Sequence, residues 1–427
     1  MHPETKENIK IIFKILGRKL IQSKKAHFLM ASAIMLSVSM ISTGFEKNNN
    51  LPIKRKFTMN DASGRDSMMV TIPFEVNFKN LDLSYKDEKS CWIEKFYNKN
   101  FASSTYSGSF LVAKNGTILY EKYSGYSNIS LKSKIQENTP IHVASVSKVM
   151  TAAAVLRLVA DGKIDLDEKV HTYLEDFPYQ ETTVRNLLNH RSGLQHYKRF
   201  NEFVRGWNYK KVLSNQDVLD YYKNFKFKLV FKNDTKFNYN NSNYALLALI
   251  VEEVTQQDFP TAMQALVFSP LNMENSFVID FLTQKDSVCQ SYKADGKNYG
   301  WDQFDAIYGD KNLYTTPRDL LKFDIATYSD KFLPAHLKEE MLKGYSFEEK
   351  GINNYGLGMR MKNYESGQNI HFHNGWWHGN TSSYVTLKKD TVTIIALSNR
   401  YTTKPYQSMK LASLFGSYPL ELGFDAQ

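Results

Sequence analysis

Strand-like segments lie near both ends of this chain, and a long stretch with helical patterns separates them. Ser109 to Asn128 alternates around Asn115-Gly116, a two-residue turn signal that predicts a β-hairpin. Short alternating or apolar runs between residues 354 and 400 predict a meander of further strands. We therefore expect an α+β fold in which both chain ends form one antiparallel sheet, flanked by helices, with a mainly helical lobe inserted over about 165–350.

Three helices are predicted outside the inserted lobe. Apolar residues at helical spacing predict an amphipathic helix over Asp87 to Phe101. The apolar run that begins at Ser145 predicts a buried helix that ends at Asp161-Gly162, where glycine is a common stop. A last helix is expected over Pro405 to Leu414. We assign residues 87–427 to one domain and residues 51–86, which are polar and irregular, to a linker or extension.

Residues 1–50 combine a basic segment with an uncharged apolar run, Phe28 to Phe45. The run is at the lower limit of length for crossing a bilayer, but a basic segment followed by an apolar one is typical of an export signal. We expect an extracytoplasmic location, in the periplasm or at the cell surface. Residues 28–45 would anchor the protein to the membrane if they are not cleaved. An ordinary buried helix is the alternative.

Composition excludes several classes of function. The formal net charge is +10, but apart from the N-terminal segment lysines alternate with acidic residues, so we do not expect nucleic-acid binding. The two cysteines, Cys91 and Cys289, lie in no Cys-x-x-Cys or Cys-His pattern, so a thiolate zinc site is not expected. Whether they form a disulfide is open. We expect a monomer.

Ser145 and Lys148 stand at the start of the long apolar helix, which needs neither a hydroxyl nor an ammonium for its burial. Three residues apart on a helix, they share one face. The serine oxygen is expected beside free backbone N–H groups, at the positive end of the helix dipole. That position suits a nucleophile whose product is an oxyanion. Taken alone, the pair also fits an N-cap serine beside a solvated lysine.

Two further motifs accompany this pair in chain order. Tyr239-Asn240-Asn241 precedes another apolar helix, and His373-Asn374-Gly375 lies in a predicted strand. Ser-x-x-Lys, Tyr-x-Asn and His-x-Gly together resemble the motifs of penicillin-recognising serine hydrolases, most closely the branch of class C β-lactamases, DD-peptidases and related esterases. The resemblance extends from about Ile93 to Leu414. It includes four connecting segments: LVADGKIDLDEKVHTYL, VRNLLNHRSGLQHY, SPLNM and LYTTPRDLLKF.

The resemblance implies a β-lactamase/transpeptidase-like fold for residues 87–427 and a catalytic role for three residues. Ser145 would attack a carbonyl and form an acyl-enzyme, with Lys148 or Tyr239 as its base. Which of the two takes the first proton is open. Asn241 would bind the acyl amide of the substrate and help to hold Lys148. The implied substrate is a β-lactam, a D-alanyl or peptidoglycan peptide, or a small ester, and no cofactor is implied.

The same resemblance implies a binding role for the third motif. The backbone N–H groups of Ser145 and Trp376 would bind the oxyanion, and Gly375 would let the strand approach the substrate. His373 stands where many relatives carry lysine, and histidine is only partly charged near neutrality. Asn374 replaces the usual hydroxyl residue. Both departures argue against strong recognition of a substrate carboxylate and against a dedicated β-lactamase.

Other interpretations of these residues are possible. His371 and His373 are two apart on a predicted strand, with His378 close by, so a three-histidine zinc hydrolase is conceivable. It would leave the serine, lysine and tyrosine motifs unexplained. A non-catalytic binding protein that kept the fold is a second alternative. We expect His190 to support packing or a loop rather than to act as a base.

Overall fold

The computed structural model describes residues 69–103 and 105–424. The predicted export segment and residues 51–68 of the predicted linker lie outside these residues. Within them, no helix is both long enough and apolar enough to cross a bilayer. The strands are β1 (Gly108–Lys114), β2 (Thr117–Ser124), β3 (Tyr126–Asn128), β4 (Ser133–Lys134), β5 (Ile141–His142), β6 (Phe277–Val278), β7 (Leu313–Thr315), β8 (Asn353–Tyr355), β9 (Arg360–Asn363), β10 (Asn369–Trp377), β11 (Asn380–Leu387) and β12 (Val392–Ser398).

Helices cover the sheet and build the inserted lobe. The α-helices are α1 (Leu83–Asn100), α2 (Ser147–Ala160), α3 (Val170–Tyr173), α4 (Val184–Leu188), α5 (Asn215–Phe225), α6 (Asn241–Thr255), α7 (Phe259–Met263), α8 (Phe281–Gln284), α9 (Pro317–Ala326) and α10 (Ala335–Leu342). Other helical turns are the 3-10 segments Ala144–Val146, Tyr197–Glu202, Ser269–Leu271 and Lys404–Leu414 and the π segment Gln264–Phe268.

The main sheet confirms the predicted α+β architecture. Its order is β2-β1-β12-β11-β10-β9-β8, and every neighbouring pair is antiparallel. The two chain ends meet where β1 pairs with β12, from Gly108 opposite Ser398 to Lys114 opposite Val392. The β1–β2 hairpin turns at Asn115-Gly116, both with positive φ (51° and 70°), as its sequence predicts. The small β5-β7-β6 sheet was not predicted because its strands have only two or three residues.

The sheet has a hydrophobic core on each face. Alternate residues of β1 point to opposite sides: Phe110 and Val112 pack with α1 and the C-terminal 3-10 segment, whereas Leu111 and Ala113 join the core under the helical lobe. Burial on both faces explains why β12 reads as a continuous apolar run instead of an alternating one. The last predicted helix, over Pro405 to Leu414, is present at that position, but it has the tighter 3-10 geometry.

Helix α2 lies at the centre of the lobe-side core. All its residues before Arg157 are buried, and it packs against α6, which is equally buried over most of its length. The α-helical geometry begins at Ser147, two residues later than predicted, and Ser145 lies in the preceding 3-10 turn. The end at Ala160, followed by Gly162 with φ 69°, agrees with the sequence.

Candidate active site

Ser145 is held at a sharp turn between β5 and α2. The residue before it, Ala144, has φ 48°, a left-handed conformation that is costly for a residue with a Cβ. The buried ring of His142 supports this turn, since its Nδ1 accepts a hydrogen bond from the Ala144 N–H at 3.2 Å. Burial lowers the pKa of His142 to about 4, so the ring is neutral and can accept that bond. The strain is located directly beside the predicted nucleophile.

Lys148 faces Ser145 from one turn along the chain, as predicted. Its ammonium nitrogen is 3.2 Å from Ser145 Oγ and donates to the backbone oxygen of Asp310 at 2.7 Å. The side chain is fully buried, and Nζ lies 5.1 Å from the ring centre of Tyr239 and 5.6 Å from that of Tyr244. The structure thus brings the hydroxyl, the amine and the aromatic ring of the three predicted catalytic residues together around one nitrogen.

Tyr239 lies in a loop whose backbone is hydrogen-bonded to His190. The His190 carbonyl accepts from the Asn238 N–H at 2.9 Å, and its Nδ1 accepts from the Asn240 N–H at 3.2 Å. The two rings of His190 and Tyr239 are 4.5 Å apart. Burial, followed by the charge of Lys148, holds the pKa of His190 well below its usual value. A neutral histidine bonded to the loop backbone has the supporting position that the sequence predicts.

Asn241 is the first residue of α6, so its side chain points out from the helix start. Its Oδ1 atom is buried and has no hydrogen-bond partner among the described residues. A buried amide oxygen without a partner is costly unless another molecule binds there. The oxygen is therefore available to a ligand, and the contact of Asn241 with substrate stays a prediction. Lys148 takes Ser145 and Asp310 as its partners, and no bond joins it to Asn241 in the described part of the chain.

Gly375 brings β10 close against the Ser145 turn. A Cβ at this position would lie 2.3 Å from Ser382 Oγ, 2.4 Å from the Val143 carbonyl oxygen and 3.0 Å from Ala144 Cβ. Only glycine fits at such distances. The next residue, Trp376, is 61% exposed, and its indole N–H donates to the His378 carbonyl at 2.9 Å.

His373 is buried and uncharged. Its Nε2 is 3.1 Å from the Tyr355 hydroxyl and its Nδ1 is 2.8 Å from the Asn374 carbonyl oxygen. Burial, followed by the charges of Arg360 and Lys148, holds the pKa of His373 well below its usual value. The expectation of a partly charged imidazole at this position is therefore wrong, because the structure encloses the ring among aromatic and cationic neighbours. His373 is fully buried with both ring nitrogens bonded within the protein, so its predicted contact with substrate is not seen, and it contributes no positive charge.

Two groups near the site were not identified from the sequence. Asp310 meets Lys148 through its backbone oxygen, and its buried carboxylate accepts from the Tyr197 hydroxyl at 2.8 Å and pairs with Lys311 at 3.4 Å. Arg360, on β9, places its guanidinium carbon 4.7 Å from the centre of the Tyr239 ring. A backbone contact leaves no side-chain signature in a sequence, and the β9 register that aims Arg360 at Tyr239 depends on tertiary pairing.

The three-histidine zinc arrangement is not formed. Across residues 69–103 and 105–424, the one set of His, Cys, Asp and Glu side chains close enough to share a metal ion is Asp302, Asp305 and His378. Asp305 already accepts from the Trp377 indole at 2.6 Å and from His378 at 2.9 Å. Trp377 is thus buried beside Asp305, whereas Trp376 is exposed. Cys91 is exposed and Cys289 buried, and both are free thiols.

Comparison with known proteins agrees with this geometry. The family model described as Beta-lactamase matches residues 98–414. The chain is 28% identical over 330 residues to "Penicillin-binding protein 4*" of Bacillus subtilis, covering 73% of each chain. It is 26% identical over 241 residues to "Teichoic acid D-alanine hydrolase" of Staphylococcus aureus, covering 56% of this chain and 57% of that protein.

A solved structure shows the same fold. The crystal structure of a penicillin binding protein from Bacillus halodurans aligns with a TM-score of 0.65 and 23% identity, over 77% of this chain and 99% of that one.

Proposed function

This chain belongs to the beta-lactamase family and is a hydrolase of its serine type, and on that premise we propose that it cleaves an ester or amide through an acyl-enzyme at Ser145. The observation that carries the proposal is the position of Lys148. A fully buried amine lies 3.2 Å from the hydroxyl oxygen of Ser145, with no carboxylate paired to it in the described part of the chain. Lysine is rarely buried without a charged partner unless the site uses it.

The proposed first step is acylation. Ser145 Oγ attacks the substrate carbonyl and forms the new C–O bond, while its proton passes to Lys148 in its amine form or to the Tyr239 phenolate. The tetrahedral intermediate then collapses, and the leaving alcohol or amine departs with a proton returned by that base. In the second step, a water molecule gives one proton to the base while its oxygen attacks the acyl carbonyl. The bond from that carbon to Ser145 Oγ then breaks, Oγ takes the proton back from the base, and the carboxylic acid leaves.

The intermediate needs two donors aimed at one oxygen. We assign these to the backbone N–H groups of Ser145 and Trp376. The support is the tight approach of Gly375 to Val143 and Ala144, which sets the strand against the nucleophile turn with no side chain between them. Asn241, with its free buried oxygen, would accept from the amide N–H of the acyl group.

D-Alanyl esters and amides are the substrate class that we favour. Relatives carry the names penicillin-binding protein and teichoic acid D-alanine hydrolase, and the neutral His373 removes a positive charge from the place where many relatives have lysine. The wild-type enzyme should hydrolyse a D-alanyl ester faster than its L-alanyl isomer. Hydrolysis should stop in Ser145→Ala.

A fluorophosphonate probe separates this chemistry from the alternatives. We expect the probe to label wild-type protein and Ser147→Ala but not Ser145→Ala. Ser147 is the matched control, because its hydroxyl accepts from the Leu313 N–H instead of facing Lys148. EDTA should leave hydrolysis unchanged. Equal labelling of Ser145→Ala, or no D-alanyl ester hydrolysis by wild-type protein, would refute the proposal.

We also propose that the enzyme works outside the cytoplasm. The support is the sequence of residues 1–50 alone, a basic segment followed by the apolar run Phe28 to Phe45. Fractionation of cells that express the full chain, with and without residues 1–50, tests it: the full chain should be accessible to protease added outside the cytoplasmic membrane, and the truncated chain should not.

A further inference from the structure

A cavity of about 170 Å³ opens on the side of Tyr239 that faces β8 and β9. Phe237, Tyr355 and Arg360 form part of its wall, with Lys236 and Ser346 also contributing. Arg360 is half-buried, and its guanidinium carbon lies 4.7 Å from the Tyr239 ring centre and 5.7 Å from that of Tyr355. Arg360 therefore lines the cavity and at the same time contacts the ring of a proposed catalytic residue.

Arg360 has no anionic partner in the described part of the chain. Four of the seven other described arginines pair with carboxylates, namely Arg185, Arg191, Arg199 and Arg318. The guanidinium of Arg360 makes no hydrogen bond or salt bridge to any residue of 69–103 or 105–424 and lies over two aromatic rings. A cation–π contact leaves the N–H groups of a guanidinium free to donate to a ligand.

The acidic residues of the cavity do not neutralise this cation. Glu348 is paired with Arg191 at 3.0 Å and also accepts from the Phe237 N–H. Glu349 is exposed and forms no salt bridge with Arg360. Since His373 is neutral, Arg360 is the cation that reaches the Tyr239 ring from β9, as Lys148 does from α2.

We propose that the cavity is a substrate subsite in which Arg360 binds a carboxylate. The planar fork of a guanidinium matches the two oxygens of a carboxylate, and such charge-assisted pairs are strong when partly desolvated. Arg360 thereby restores, from a neighbouring strand and on the far side of Tyr239, a recognition that His373 lacks. This inference rests on the proposed function of Ser145.

Matched esters test the subsite. Mono-p-nitrophenyl glutarate carries a carboxylate on the acyl side and p-nitrophenyl glutaramate its neutral amide; 3-carboxyphenyl butyrate and 3-carbamoylphenyl butyrate form the same pair on the leaving side. Arg360→Gln should lower kcat/KM for one carboxylated ester by about tenfold or more, with less than about threefold loss for its neutral partner. Arg360→Lys should retain part of the preference. The pair that responds identifies the side of the scissile bond.

Lys122→Gln is the matched control, because Lys122 is exposed on β2, at the opposite edge of the sheet, and loses the same charge. It should leave both pairs unchanged. Equal losses on charged and neutral esters in Arg360→Gln, or an undiminished preference for the carboxylate, would overturn the subsite.

Binding to inactive protein separates this inference from the proposed function. Calorimetry with the same esters should show about tenfold weaker binding of the responding carboxylated ester to Ser145→Ala/Arg360→Gln than to Ser145→Ala. If wild-type protein hydrolyses none of the esters, the proposed function fails and this affinity ratio alone decides the role of Arg360. If hydrolysis depends on Ser145 but the ratio is unity, only the subsite fails.

Discussion

At the scale of single residues, the site is marked by a lysine that folding alone does not require. Burying an amine without a carboxylate partner costs several kcal/mol, because the hydrogen bonds of water must be replaced. Lys148 recovers one bond from the Asp310 carbonyl and one from Ser145. Lys388 is the contrasting case, since it pairs with the Asp324 carboxylate at 2.7 Å and also donates to Thr327.

Lys148→Met and Lys388→Met should therefore separate activity from stability. Lys148→Met removes the amine that contacts both Ser145 and the Tyr239 ring, so kcat/KM should fall by about 100-fold or more whichever of Lys148 and Tyr239 takes the proton, while the melting temperature holds or rises. Lys388→Met leaves Asp324 unpaired and should cost roughly 3 kcal/mol of unfolding free energy with unchanged kcat/KM. Ester hydrolysis and urea unfolding measure both. Near-normal hydrolysis by Lys148→Met would contradict its assigned role.

Gly375→Ala should lower activity because it displaces β10 from the Ser145 turn. Its Cβ would lie 2.3 Å from Ser382 Oγ and 2.4 Å from the Val143 carbonyl, so β10 must move away from the Ser145 turn. We expect at least a tenfold loss of kcat/KM and about 1–3 kcal/mol of destabilisation. Gly300→Ala meets nothing within 4 Å and should change neither. Equal behaviour of the two variants in paired kinetic and unfolding assays would argue against the close approach.

At the scale of elements, the Tyr239 loop depends on the segment after α4. His190 bonds its backbone, Arg191 pairs with Asp234 at 2.7 Å and with Glu348, and the Val230 N–H donates to the Gly193 carbonyl at 2.7 Å. A Cβ on Gly193 would lie 1.9 Å from the Phe231 carbonyl oxygen. The segment VRNLLNHRSGLQHY, which contains His190, therefore acts by positioning the tyrosine.

Arg191→Gln should loosen this loop. Arg191 has a side chain only 9% exposed and links the loop to Glu348, so we expect faster hydrogen exchange over residues 230–240 and about a tenfold loss of kcat/KM. Arg199→Gln is matched, because the Arg199–Glu202 pair is solvent-exposed and contributes little. Unchanged exchange in Arg191→Gln would show that the ion pairs do not hold the loop.

The sequence predicts helices and strands better than it predicts the tertiary contacts between them. The hairpin at Asn115-Gly116 and the buried run of α2 follow from local turn chemistry and periodicity. The convergence of Ser145, Lys148 and Tyr239 was expected only through the resemblance to a family, since residues almost 100 positions apart leave no local pattern. Arg360 shows the limit most clearly, because the pairing of β9 with β10, not its own neighbours, brings it to Tyr239.

At the scale of the whole molecule, the fold buries several histidines in neutral form. Burial lowers the pKa of His142 and His371 to about 4, and that of His190 and His373 well below the usual value. The unfolded chain binds protons at these groups below about pH 6.5, whereas the folded protein does not. Stability is therefore complete above that pH and falls as the solution becomes more acidic.

The melting temperature should accordingly drop by several degrees between pH 7 and pH 5. Each such histidine lowers the free energy of unfolding by up to about 1.4 kcal/mol for every pH unit below its pKa in the unfolded chain. Calorimetric unfolding at steps of half a pH unit measures how stability depends on pH. His371→Asn should reduce this dependence by the contribution of one histidine. A melting temperature that holds or rises on acidification would contradict the neutral, buried assignment.

Covalent capture of the acyl group tests the central claim most directly. Wild-type protein mixed with p-nitrophenyl butyrate, and separately with benzylpenicillin, is quenched in acid within seconds and analysed by intact mass and peptide mapping. We predict a single added acyl group, from one or both donors, on the peptide that contains Ser145, and none in Ser145→Ala. Turnover without any adduct, or an adduct on another residue, would contradict the mechanism.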